Sequence, residues 1–160
     1  MGFLHHYEES SIINVPNTQV FAFIDDHSRF SSHMNKSSWM MGGGKMETRL
    51  DKGKGQKIGS HISMGGKVFG INLFLDEVVT EYLPPRRKTW KTVGSPKLIV
   101  IGSYQMGVEL TPKSGKTKLK VFIDYDLPSG ASRILGQLFG KMYAKWCVRQ
   151  MLAGVVELGR

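Results

Sequence analysis

The stretch GASRILGQLFGKMYAKWCVRQMLAGVVEL, residues 130–158, decides the fold. Leu135, Leu138, Phe139, Met142, Trp146 and Ala153 recur there at helical spacing, while Arg133, Gln137, Lys141, Lys145 and Arg149 take the other side. The spacing predicts one long amphipathic helix over Gly130–Leu158. A single terminal helix laid on a strongly bent antiparallel sheet can enclose a hollow, so the same reading predicts a chamber for a ligand.

Working outward, almost everything before that helix reads as strand. His6–Asn14 carries the β-prone Tyr7, Ile12 and Ile13, and Val15-Pro16-Asn17 ends it. Asn17 or Thr18 can cap a short helix whose buried stripe is Val20, Phe21 and Ile24, with a second short helix around Ser28–Met34. Glycines at 42–44 and from Gly53 to Gly59 punctuate a second strand, a loop and a bent third strand. Further strands are expected over Val68–Tyr82, Arg87–Val93, Leu98–Leu110 and Lys118–Leu127, with a hairpin at Thr111–Gly115. Tyr104, Met106, Val108 and Leu110 share one parity, as do Val121, Ile123, Tyr125 and Leu127, and these sets should face the long helix. The alternation in Val68–Tyr82 leaves its inner face open: Phe69, Ile71, Leu73 and Leu75 oppose Asn72, Phe74 and Asp76, and a bulge before Val78 would switch the phase.

At 160 residues with 41% hydrophobic content the chain suits one domain, 1–160, with a core that needs no metal or disulfide. One cysteine, Cys147, excludes an intramolecular disulfide and fits a reducing compartment. The first residues lack the basic and apolar regions of a signal peptide, and no apolar run approaches the roughly 18 residues of a membrane span. A cytoplasmic protein is therefore expected. The formal charge of +9 is spread over turns, at Lys52, Lys54 and Lys57, at Arg86–Lys88, and at Lys113–Lys120. That distribution reads as a solvated surface, compatible with transient contact with an anionic membrane, and nucleic acid is not an expected partner.

Enzyme signatures fail in turn. Gly115-Lys116-Thr117 resembles the end of a phosphate-binding loop, but Leu110 stands where the first glycine is required and the segment lies between strands. Gly53-Lys54-Gly55 lacks the third glycine of a dinucleotide fingerprint, and no Gly-x-Ser-x-Gly elbow occurs. His5, His6, His27, His33 and His61 form no His-Glu-x-x-His pattern, so no metal and no cofactor is expected. Cys147 reads as a small packing residue.

What remains is a set of soft apolar side chains with a few polar tips. Met64, Trp90, Tyr104, Met106, Tyr125, Leu138, Met142 and Trp146 are the expected lining, with His61 as a polar contact. Methionines adapt to ligand shape, and tyrosine or tryptophan tips orient a carbonyl or hydroxyl while the rest of a ligand buries apolar area.

The order of elements, strand, two short helices, six strands and a long helix, resembles the START-like helix-grip superfamily (SRPBCC). Three segments carry the resemblance: Val15-Pro16 with Val20-Phe21-Ala22-Phe23-Ile24-Asp25-Asp26; Glu77-Val78-Val79-Thr80-Glu81-Tyr82-Leu83-Pro84-Pro85-Arg86-Arg87; and Asp124-Tyr125-Asp126-Leu127-Pro128. It is most similar to the polyketide cyclase/dehydrase and lipid-transport branch. The resemblance implies an α+β helix-grip fold, with a curved antiparallel sheet of about seven strands wrapped around the C-terminal helix and two short helices between strands 1 and 2. It also implies a small hydrophobic ligand, a lipid, quinone or polyketide-like molecule, held between sheet and helix. It implies no reaction, since members share no universal catalytic motif and catalytic residues stay unassigned. Two other classes stand beside this one. A polyketide cyclase, aromatase or dehydratase would use Tyr104, Tyr125 or His61 for acid/base contacts; a protein-interaction module would show an undersized cavity and an exposed apolar patch. The oligomeric state is not legible.

Overall fold

The computed structural model describes residues 2–26, 45–68, 70–98 and 100–160. Seven strands, β1 (His5–Ile13), β2 (Lys45–Leu50), β3 (His61–Val68), β4 (Ile71–Leu83), β5 (Arg87–Lys97), β6 (Tyr104–Lys113) and β7 (Lys116–Tyr125), form one sheet. Its order is β1-β7-β6-β5-β4-β3-β2, and every neighbouring pair is antiparallel. Helix α1 (Asn17–Asp25) follows β1, and helix α2 (Ser132–Val156) closes the chain before a short 3-10 turn, Glu157–Gly159. This is the α+β helix-grip architecture, a curved antiparallel sheet with a long terminal helix. The expected second short helix, Ser28–Met34, lies outside the described residues.

Local sequence explains the junctions. Ser114 and Gly115 both take positive φ, +50° and +80°, so a two-residue turn of the primed kind joins β6 to β7, tighter than the five-residue connection expected. Gly70, at φ +74°, splits the expected Val68–Tyr82 strand into the end of β3 and the start of β4. Strand β5 runs on past Val93 to Lys97, and β6 starts at Tyr104 rather than at Leu98.

Val20, Phe21 and Ile24 of α1 are buried as their spacing demands, each contributing about 1.5–3 kcal/mol. Pro16 rather than Asn17 or Thr18 holds the N-cap position, and no side chain caps it. The inner face of β4 is now fixed: Leu75, Glu77 and Val79 point into the core, with Leu73 packed against it. Its pairing with β5 is irregular at two places, between Phe74 and Asp76, ahead of Val78 as expected, and between Val79 and Glu81; the first leaves the inward parity of Leu75, Glu77 and Val79 unchanged.

Helix α2 packs mainly on β1 and β7. Its buried face differs from the one expected: Gly136, Gly140, Ala144, Cys147, Val148, Leu152 and Val155 point inward, whereas Leu135, Leu138, Phe139 and Met142 are exposed. Close approach is the reason. A Cβ at Gly136 would lie 2.5 Å from Pro128 Cδ and 3.1 Å from the Val100 carbonyl oxygen, so only glycine lets the first half of α2 settle on that segment. Among the described residues no helix is long and apolar enough to cross a membrane.

Candidate functional site

Register places a polar row across the inner face of the sheet, beneath α2. Glu77 on β4 lies opposite Thr92 on β5, and Tyr104 on β6 lies opposite Tyr125 on β7. The Thr92 hydroxyl joins the two halves: its oxygen accepts from the Tyr104 backbone N–H at 3.1 Å, and its O–H donates to the Tyr104 carbonyl at 3.3 Å. The Tyr104 hydroxyl reaches across to donate to Glu77 Oε2. The Trp90 side chain also hydrogen-bonds to the Glu77 carboxyl.

Glu77 is fully buried, and burial pushes its carboxyl up to about 7, assisted by the charge of neighbouring Asp76. Hydrogen bonds from Tyr104 and Trp90, and the charge of Lys88, oppose that rise. Burial also holds the Tyr104 hydroxyl well above its ordinary range, and the Glu77 charge adds to the effect. From α2, Tyr143 and Cys147 hydrogen-bond to one another, and both are within electrostatic reach of this group. Burial pushes the Cys147 thiol up to about 12, which keeps it protonated and unreactive.

A second buried polar group ties α1 to the sheet. Lys88 is wholly buried, with Nζ 2.8 Å from Asp25 Oδ1. The Tyr82 hydroxyl donates to Asp25 Oδ2 at 2.5 Å, and Lys88 Nζ lies 5.7 Å from the Tyr82 ring centroid. Burial lowers the Lys88 ammonium's pKa and the Asp25 carboxylate opposes the change.

The expected lining residues divide into two groups. Met64, Trp90, Tyr104, Met106 and Tyr125 are buried on the inner face of the sheet, and Trp146 is half-buried beside Tyr143 with ring centroids 5.7 Å apart. Leu138 and Met142 stand in solvent. His61 alternates with the buried Ile62 and lies on the outer face, its Nδ1 2.9 Å from Asp76 Oδ2. Ser63 donates to the other oxygen of the same carboxylate at 3.1 Å. The carboxylate stands between serine and imidazole, so nothing there draws the proton off Ser63 and no nucleophile is made. On this outer face a half-open groove of about 580 Å³ runs over β2, β3 and β4, with Arg49, Ser63, Lys67 and Phe74 among its lining. No cluster of three or more metal-ligating side chains occurs among the described residues.

Glu77, Lys88, Asp25 and Tyr143 were absent from the expected site. For Glu77 a signal existed: it shares the apolar parity of Leu73, Leu75 and Val79, and an acid in that register must be buried. Lys88 likewise keeps step with Trp90 on the inward side of β5.

Geometry of this kind, a long helix over a curved sheet with polar groups sunk between them, defines the START-like helix-grip class. Residues 5–159 match the family described as polyketide cyclase/dehydrase and lipid transport, and the chain belongs to that family. Solved structures share its fold. A Thermus thermophilus protein superposes with a TM-score of 0.66 at 13% identity, covering 96% of this chain and 95% of the other. The Zhui aromatase/cyclase from a Streptomyces species gives 0.64 at 13%, covering 98% and 96%. The di-domain aromatase/cyclase BexL gives 0.68 at 13%, covering 98% of this chain and 50% of that one. No curated protein matches the sequence.

Proposed function

We propose that the protein binds a small hydrophobic ligand, a lipid, quinone or polyketide-like molecule, between the inner face of the sheet and α2. The Glu77–Tyr104 pair is its polar anchor. Met64, Trp90, Met106 and Tyr125 supply the apolar floor and the half-buried Trp146 the helical side, whereas Leu138 and Met142, on the solvent side of α2, and His61, on the outer face of the sheet, stand outside it. The observation that carries this reading is the buried Glu77. A carboxyl in an apolar interior costs stability, and such groups concentrate where a ligand or a reaction uses them. Membership of a family described by cyclisation, dehydration and lipid transport supports the same site. A single buried thiol fits a cytoplasmic carrier. Delipidated protein titrated with fatty acids, quinones and aromatic polyketides should bind at least one class saturably, and Glu77→Gln should alter its affinity. Refusal of all three classes would end the reading.

A second reading, a cyclase, aromatase or dehydratase in the same place, is favoured by one feature: a carboxyl balanced near neutrality exchanges protons readily. Turnover of a cyclisation substrate that vanishes in Glu77→Gln, with binding retained, would decide for it.

A further inference from the structure

Helix α2 exposes a continuous apolar face. Ile134 is 64% exposed, Leu135 41%, Leu138 68%, Phe139 43% and Met142 45%. At about 100° per residue these five fall within an arc of about 140°, on the side away from Gly136, Gly140 and Ala144. Large side chains exposed together in this way mark a contact surface.

The charges on the same helix say what covers it. Its 25 residues include Arg133, Lys141, Lys145 and Arg149 and no Asp or Glu. Arg149 is held by Glu9 at 2.8 Å and the half-buried Lys145 lies within electrostatic reach of the same carboxylate, whereas the exposed Arg133 and Lys141 form no salt bridge among the described residues. Lys141 borders the apolar arc and Lys145 extends it by one turn. A second copy packed face to face would bring these cations together. A bilayer carrying negative headgroups accepts both features at once, the apolar side chains entering the acyl boundary and the ammonium groups meeting the headgroups. We propose that α2 docks on an anionic membrane surface through Ile134, Leu135, Leu138, Phe139 and Met142, with Lys141 and Lys145 engaging the headgroups. The inference goes beyond ligand binding and is read without any ligand.

Flotation with phosphatidylcholine vesicles, with and without phosphatidylserine, tests it. The protein should float with the phosphatidylserine vesicles, and less so as salt is raised. Leu138→Gln with Phe139→Gln should weaken that binding by about tenfold or more, as loss of two buried apolar side chains requires. Lys141→Gln with Lys145→Gln should abolish the preference for phosphatidylserine. Leu138, Phe139 and Lys141 are exposed and Lys145 is half-buried, so thermal melting checks that each variant folds. Three results would overturn the proposal: no flotation of the wild type, flotation indifferent to the Leu138 and Phe139 changes, or a solution dimer that those changes dissolve. The last would assign the face to a second copy.

Discussion

Lys88 Nζ lies 2.8 Å from Asp25 Oδ1, and this contact joins a fully buried lysine to the last residue of α1. Loss of the carboxylate leaves the ammonium in a low-dielectric interior without its ion-pair partner. Asp25→Ala should therefore cost about 3–5 kcal/mol at neutral pH, measured by chemical denaturation. Burial already lowers the Lys88 pKa, and removing Asp25 lowers it further. Protonation then penalises the folded state, so the variant should recover part of its stability as pH rises toward the unfolded lysine value. A variant equally unstable at both ends of that range would refute the assignment.

Glu77 makes the opposite prediction for acid. Its folded pKa, about 7, stands above the ordinary 4.5, so the folded protein holds the proton more tightly than the unfolded chain. Stability is full below the unfolded value and falls as pH rises from about 4.5 to 7, by roughly 3 kcal/mol. Glu77→Gln removes this slope and should be the more stable protein at pH 8. Denaturation of both proteins across that range checks it, and parallel curves would show that Glu77 is not a protonated buried acid.

Two glycines in one helix should respond with opposite signs. Gly154 has nothing within 4 Å of an added Cβ, so Gly154→Ala should gain about 1 kcal/mol of helix propensity. Gly136→Ala meets Pro128 at 2.5 Å and should lose about 1–3 kcal/mol in spite of that propensity. Equal gains at both positions would mean that α2 does not sit on Pro128.

These glycines also show where sequence reading stops. Periodicity located α2 within two residues at each end, and parity located the inner faces of β6 and β7, because both patterns are local consequences of backbone geometry. In the first half of α2, bulk points to the wrong face, because close packing on Pro128 and Val100 selects Gly136 and Gly140 for the buried side. Met64, Trp90, Tyr104, Met106 and Tyr125 were legible as inward residues. The Tyr104–Glu77 bond was not, since it depends on β4, β5 and β6 aligning residues 27 positions apart. Asp25 and Lys88, 63 apart, meet for the same tertiary reason.

At the edge of the sheet, His6 Nδ1 lies 2.5 Å from Asp124 Oδ1 on β7, and its Nε2 lies 2.9 Å from Glu8. Both carboxylates raise the imidazole above its ordinary 6.5, Asp124 first. The stabilisation is present below pH 6.5 and is lost as pH climbs through the raised value. Titration followed by the imidazole proton resonances should show His6 above 6.5 in the wild type and nearer 6.5 in Asp124→Asn. An unchanged value in the variant would remove the Asp124 contact from the account.

On the proposed function, Glu77 and Tyr104 anchor a hydrophobic ligand beneath α2. Trp90 hydrogen-bonds to Glu77, so its fluorescence reports on that spot. Delipidated wild-type protein, Glu77→Gln and Tyr104→Phe should be titrated with the tightest-binding member of the fatty acid, quinone and polyketide set. The account predicts a saturable change in Trp90 emission for the wild type, and at least a tenfold weaker midpoint in each variant, about 1.4 kcal/mol. Identical midpoints in all three proteins, or no saturable change in any, would contradict it.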